Sequence, residues 1–469
     1  MTISTLPVDS GRYHAFDSLR GLAMFLGIIL HGSMTYTATR VPFWPITDSE
    51  TTPIADLFII VVHLFRMQLF FWLAGFFAAL LLARHTLYHL IHNRVQRILV
   101  PFVLGLFFII PILQLFWLTA DKSTLKFLQL PTFYQECSFS ELIENYIFTG
   151  SYVAHLNPIH LWFLYYLLIA YLMMIVLVIG LRSRLSKRIT RCTDWLDRSF
   201  RHLMISRGRW LFLSIPIIIT LAWSQLGFVD TPDNWNIQIH TFAHYFYFFL
   251  LGWMVYRHRD LLFHYCGKPW RQIAIANGLL LPIFLVSVGI LVQGRTSTLA
   301  INQLETDSPL GESSPLSEDR SSNHLEINSE QGSSQKQISP ILSEDKLKSI
   351  AVVSSSFYTF FMVHGLLSLF LQKTNRESRF VRYLAESSYW CYLIHLIPIF
   401  VFQRWFSYVD LPLGIKWGFS LIGTMVVLLI SYHYLVRNTF LGVLLNGKRA
   451  NSHQKLKNAS GENNSKSIE

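Results

Sequence analysis

The sequence predicts an all-α polytopic membrane protein with about ten transmembrane helices and both termini in the cytoplasm. Three observations carry that expectation. Hydrophobic residues fill 52% of the 469 positions and charged residues only 14%, against about 25% charged in a soluble domain. Apolar runs long enough to cross a hydrocarbon core of about 30 Å recur along the chain. Lys and Arg gather in alternate connections between those runs, which is the pattern that orients membrane proteins. The net charge of +11 is therefore a record of topology, and nucleic acid is not expected as a partner.

The elements follow in order. Polar residues precede the first run, 22–39, which continues well past the length of a signal-peptide core and is read as a retained span. The next runs are 55–83, 98–118, 159–180, 210–229, 239–256, 273–293, 350–371, 384–403 and 416–436. The basic connections 84–97, 181–209, 257–271 and 372–382 are assigned to the cytoplasm. That leaves 40–54, 119–158, 230–238, 294–349 and 404–415 outside. Residues 301–348 interrupt the composition, with no aromatic residue and nine acidic against four basic side chains. Such a stretch cannot bury enough apolar surface to fold. It is expected to be a disordered acidic extracytoplasmic loop within a transmembrane domain of residues 1–440, followed by a disordered cytoplasmic tail, 441–469. Cys137, Cys192, Cys266 and Cys391 show neither metal nor redox spacing, so neither a metal site nor a disulfide is expected.

Ionisable residues inside the spans are the candidates for chemistry, because leaving them against lipid is expensive. Arg20 and His31 stand eleven positions apart, which in a helix is about three turns and about 16 Å of rise. They share a face with Gly27, and Asp17 lies about 60° from Arg20. Arg20 at the membrane edge puts His31 near mid-depth, where it is either a functional group or a packing histidine bonded to a neighbouring helix. His63 and Arg66 are one turn apart in the second span. Arg66 requires a carboxylate, carbonyls, water or an anionic substrate, and structural pairing is the alternative reading. His160 opens the fourth span, as a candidate or as an interfacial anchor, and His395 lies inside the ninth. Arg94 and Arg97 sit at i and i+3 before Pro101, and their forked donors suit phosphate; a basic loop end alone would produce the same pattern.

The chain has no P-loop, no Gly-x-Ser-x-Gly elbow and no His-Glu-x-x-His. None of its eighteen histidines is followed five positions later by Asp, the spacing of membrane glycerolipid acyltransferases. Any chemistry is expected to rest on histidine as a general base.

Taken together, Phe16-Asp17-Ser18-Leu19-Arg20 with His31, the segment His63 to Phe71, and Gly75-Phe76-Phe77 resemble the membrane acyltransferase 3 family. Arg94-x-x-Arg97 before Pro101, His160-Leu161-Trp162-Phe163-Leu164, Phe249-Leu250-Leu251-Gly252 and Tyr392-Leu393-Ile394-His395 extend the likeness, most closely to its glucans biosynthesis group. The resemblance runs in order from about 12 to 440, leaving out the 301–348 insertion, which departs from the family pattern. It implies a multi-pass enzyme of the cell inner membrane, with no bound cofactor. Such an enzyme would move a succinyl or acetyl group from acyl-coenzyme A to a hydroxyl of an envelope glycan, a periplasmic glucan in this group. It further implies His31 as the catalytic residue and Arg94 and Arg97 as donor ligands. Arg20 is expected at the inner mouth, with Asp17 orienting it or pairing with another arginine, and Arg66 as an oxyanion donor, so that Asp17, Arg20 and Arg66 are grouped with His31 as catalytic candidates; His63, His160 and His395 are acceptor-side candidates. The competing expectation is a transporter that uses intramembrane His and Arg as a proton or anion pathway.

Overall fold

The structure, a computed structural model, describes residues 13–120, 138–182, 187–232, 234–306, 343–374 and 378–446. Cys137 and most of the acidic insertion, 307–342, lie outside the described residues, as does the tail from 447 onward. Among the described residues the fold is helical, with no strand.

Helix α1 (His14–Ser33) runs through the middle of the assembly. Ala15, Gly21, Ala23, Gly27 and Gly32 are buried along it, and small side chains of this kind let helix backbones approach closely. Helices α2 (Pro53–His63) and α3 (Arg66–Arg84) form one long apolar unit with a break at residues 64 and 65. Helix α4 (Leu87–Leu118) contains two π-helical turns, Val95–Leu99 and Gly105–Ile109. Each turn lies close to a proline, Pro101 and Pro111, whose missing N–H interrupts the ladder of the preceding turn.

Then come α5 (Trp162–Arg182), α6 (Lys187–Ile205), α7 (Arg209–Leu221) and α8 (Ile239–Arg257). After them stand α9 (Pro269–Ile275), α10 (Leu281–Thr306), α11 (Glu344–Lys373), α12 (Arg379–Ile394), α13 (Leu396–Phe406), α14 (Leu413–Ser431) and α15 (Phe440–Asn446). Helix α1 packs against α2, α3 and α11 to α14. Helices α3 and α8 lie along each other, and a Cβ at Gly75 or Gly252 would come within 1.9 Å of a carbonyl oxygen of the opposite helix. The aromatic content fills the core: Phe16 of α1 meets Trp72 and Phe76 edge-on at 5.6 and 4.9 Å, the arrangement the ring quadrupoles favour.

Among the described residues, seven helical units are long and apolar enough to cross a membrane, and nine if two bent pairs each count as one span. Helix α8, expected as a span, falls short in apolar character because it carries His240, His244 and Tyr245. Several expected boundaries change. The basic connection 181–209 contains the nineteen-residue helix α6. The 210–229 run is helical only to Leu221, and the described residues 222–232 and 234–238 are irregular. The 384–403 run is two helices bent by 66° at His395. The acidic insertion is helical at both ends, where α10 runs to Thr306 and α11 begins at Glu344.

Candidate functional site

The site is built on two helix breaks that face α1. Pro398 cannot donate to the Ile394 carbonyl, and its ring obstructs it, so α12 ends at Ile394 and α13 starts afresh. The break turns His395 inward, 2% exposed, and frees carbonyls that would otherwise be satisfied within the helix. His395 Nδ1–H donates to the Tyr392 carbonyl at 2.7 Å. His160 Nε2–H donates to the Leu393 carbonyl at 2.9 Å. The Tyr392 hydroxyl returns a bond to the His160 carbonyl at 2.9 Å.

His31 Nδ1 lies 2.7 Å from His395 Nε2. With neutral imidazoles this chain has a single arrangement. His395 spends its proton on Tyr392, so its Nε2 accepts; His31 Nδ1–H donates; and His31 Nε2 keeps its lone pair. His31 is half-buried, whereas His395 and His160 are buried. The unprotonated nitrogen thus belongs to the accessible member of the cluster. Trp44 stacks on His31 at 6.1 Å and 10°. Its indole N–H reaches Thr35 Oγ1 at 2.9 Å, and Gln403, which borders it, donates to the Gly32 carbonyl at 3.0 Å. The 37–52 segment that brings Trp44 is anchored at its far side by a buried Lys416–Asp48 ion pair of 3.2 Å.

The second break, at residues 64 and 65, presents His63 and Arg66. Helix α11 holds it open: Thr359 Oγ1 donates to the Leu64 carbonyl at 2.7 Å, and one turn earlier Ser355 donates to the Gly227 carbonyl. The stretch that follows α7 turns only Ser224, Gly227, Val229 and Pro232 into the protein, where its backbone carbonyls find partners. It supplies the Val229 carbonyl that accepts from His63 Nε2–H at 2.8 Å. Arg66 leans on α1, where a Cβ at Gly27 would stand 1.6 Å from its Nη1; only glycine leaves room for the guanidinium one turn before His31. Arg66 Nε is buried without a hydrogen-bond partner, and no carboxylate pairs with this arginine among the described residues. His31 lies within electrostatic reach of Arg66, His63 and His160.

A second group of cations lies toward the other end of α1. Asp17 pairs with Arg20 at 3.3 Å, as the spacing anticipates. Arg97 lies within reach of the charges of Arg20 and Arg94. Pro101 leaves the Arg97 carbonyl without its helical donor, and the Tyr389 hydroxyl takes it at 2.6 Å. Arg94 sits over the Tyr171 ring at 4.8 Å, and its Nε is buried without a partner. Arg20 and Asp17, grouped with His31 as catalytic candidates, therefore join the Arg94–Arg97 cluster, about 16 Å along α1 from the histidines.

The structure thus brings together His31, His395, His160, His63 and Arg66 as one cluster and Asp17, Arg20, Arg94 and Arg97 as another. His160 is no interfacial anchor: at 7% exposure it is a buried brace for the α12–α13 break. Just before it, Ile159 holds φ at 42°, a conformation that costs a β-branched residue about 1–3 kcal/mol and persists only where the surroundings impose it. Gly27 was noted in the sequence only as sharing the face of Arg20 and His31, and Ser355, Thr359 and Gln403 were missed. Pro398, three residues after His395, was a visible sign of the break.

A family model described as an acyltransferase domain (acyltransferase 3) matches residues 13–436. Among curated proteins the chain is similar to glucans biosynthesis protein C of Escherichia coli. In strain K12 the identity is 34% over 109 residues, covering 23% of this chain and 26% of the relative. In Escherichia coli O157:H7 it is 25% over 289 residues, 60% of this chain and 67% of the relative. The chain therefore spans about a quarter of the length of the first of these relatives. No solved structure matches.

Proposed function

Because the chain belongs to the acyltransferase 3 family, we propose that it transfers an acyl group, succinyl or acetyl, from cytoplasmic acyl-coenzyme A to a hydroxyl of an extracytoplasmic glycan. The observation that carries this reading is the free Nε2 of His31, kept unprotonated by the relay to His395 and Tyr392, beside the unpartnered Arg66. In the proposed reaction His31 Nε2 takes the proton of the acceptor hydroxyl as its oxygen attacks the thioester carbonyl. The Arg66 guanidinium stabilises the oxyanion. The C–S bond then breaks, and the imidazolium returns its proton to the departing thiolate. Arg94, Arg97 and Arg20 hold the donor phosphates, as forked cations do. The relatives named for glucan biosynthesis make a periplasmic glucan the first acceptor to test. Mass spectrometry of envelope glycans from a deletion strain and its complemented parent tests the whole reading. Loss of an acyl mass supports it and names the group; identical glycans count against it.

Ten spans follow if α7, α8 and the bent pair α12–α13 join the seven long units, with both termini and α6 on the cytoplasmic side of an inner-membrane protein. Reporter fusions should then place residue 325 on the opposite side of the membrane from residue 195. Finding both on one side would sink this topology. For the donor site, Arg94→Ala with Arg97→Ala should weaken coenzyme A binding by about 1.5–3 kcal/mol per lost charge-assisted bond, read by thermal-shift titration. Unchanged affinity in the double variant would leave these arginines as topology signals.

One observation favours the transporter reading. Broken helices flank the cluster on both sides, at residues 64 and 65 and at His395, and paired broken helices are a transporter device. Consumption of acyl-coenzyme A by the purified protein separates the two readings.

A further inference from the structure

Helix α6 leaves α7 through a turn of 117°. The two therefore do not form one straight span, and with α7 along the membrane normal the axis of α6 lies about 27° (117° less 90°) from the membrane plane. Two of its apolar residues dock on the protein: Met204 is fully buried, and Phe200 meets the His258 ring at 5.5 Å. Two ion pairs clamp that side, Arg201 with Asp260 at 2.8 Å and Asp197 with Arg257. The side turned away from the protein is different. Arg191, Trp195, Arg198 and His202 stand at i, i+4, i+7 and i+11, within about 60° of one another on the helix, and all four are exposed.

Among the described residues neither Arg191 nor Arg198 is paired with a carboxylate. Arg198 reaches only the Asp194 backbone carbonyl, at 3.2 Å. Trp195 is 64% exposed and the adjoining Leu196 51%. An exposed Trp between arginines, beside an apolar strip, matches the boundary where indole rings and basic side chains meet phospholipid headgroups. The strip also continues into the exposed Trp210, Leu211 and Phe212 at the start of α7.

We propose that α6 is a membrane-surface helix whose Arg191–Trp195–Arg198–His202 stripe docks on anionic phospholipid headgroups, with Leu196 toward the acyl chains. The two clamping ion pairs hold the helix at a fixed height, so the stripe meets the lipid surface without refolding. This inference is independent of the acyl-transfer reading and requires only that α7 enter the bilayer.

The test reconstitutes the full chain in nanodiscs of phosphatidylcholine alone or with phosphatidylglycerol, and follows amide hydrogen exchange over residues 191–205. Anionic lipid should slow exchange by about 30-fold, the equivalent of about 1 kcal/mol for each of two surface arginines. Arg191→Gln with Arg198→Gln should match the native protein in phosphatidylcholine and lose the slowing in the anionic discs. Trp195→Ala should lose part of the slowing in the anionic discs. Equal exchange of the native protein in both lipids, as follows if the stripe serves an acidic protein partner, overturns the proposal. So does an undiminished slowing in the double variant.

Discussion

Replacing His31 by Asn is expected to lower acyl transfer by about 10²–10⁴-fold while the protein stays folded, the usual worth of a general base. The choice of Asn follows from geometry. Its amide nitrogen stands near the position of the imidazole Nδ1, so it can still donate to His395 Nε2 across the 2.7 Å contact. What Asn lacks is a second basic nitrogen. Gln at the same position places its amide nearer the site of Nε2; it also cannot cycle a proton, so it should be equally inactive but less well seated. Glycan acylation at matched protein levels, with thermal unfolding in detergent as the control, reads both effects. Near-normal turnover in His31→Asn would reduce His31 to a packing residue. The base would then be sought at His63 or at His160, whose Nδ1 is buried without a partner.

Arg66→Gln should separate activity from stability in the other direction. The guanidinium is the first side chain of α3, where the helix dipole opposes a cation, and its Nε has no partner. A charge held this way costs stability instead of supplying it. Its removal should therefore leave the unfolding temperature equal or higher, while turnover falls by about 10²–10³-fold, as when one oxyanion donor is lost. A variant that unfolds earlier in step with its loss of activity would make Arg66 a structural residue.

Several features of the fold were legible in the chain because they depend on local order alone. Long apolar runs report helices, and the i, i+3 spacing of Asp17 and Arg20 anticipates their ion pair. His31, His63, Arg66, His160 and His395 were singled out because an ionisable side chain within an apolar run stands out against its surroundings. Residues such as Thr359 and Ser355 carry no such mark. A hydroxyl within a helix ordinarily bonds its own preceding turn, and only the approach of residues 64 and 227 gives these two an acceptor on another element.

By itself, then, the sequence determined the helical class, the polar residues worth attention and the eleven-residue separation that puts His31 about 16 Å from Arg20. The tertiary structure decided which of those residues meet. His31 and His395 are 364 positions apart, a pairing that no periodicity encodes. It also decided the tautomers, because the proton on His395 is directed to the Tyr392 carbonyl at the α12–α13 break, which leaves Nε2 to face His31. And it divided the candidates into two groups along α1, the bases at one depth and the phosphate-suited arginines at another. Helix period sets which side chains share a face, but only packing against α3, α4 and α12 sets what each of them faces.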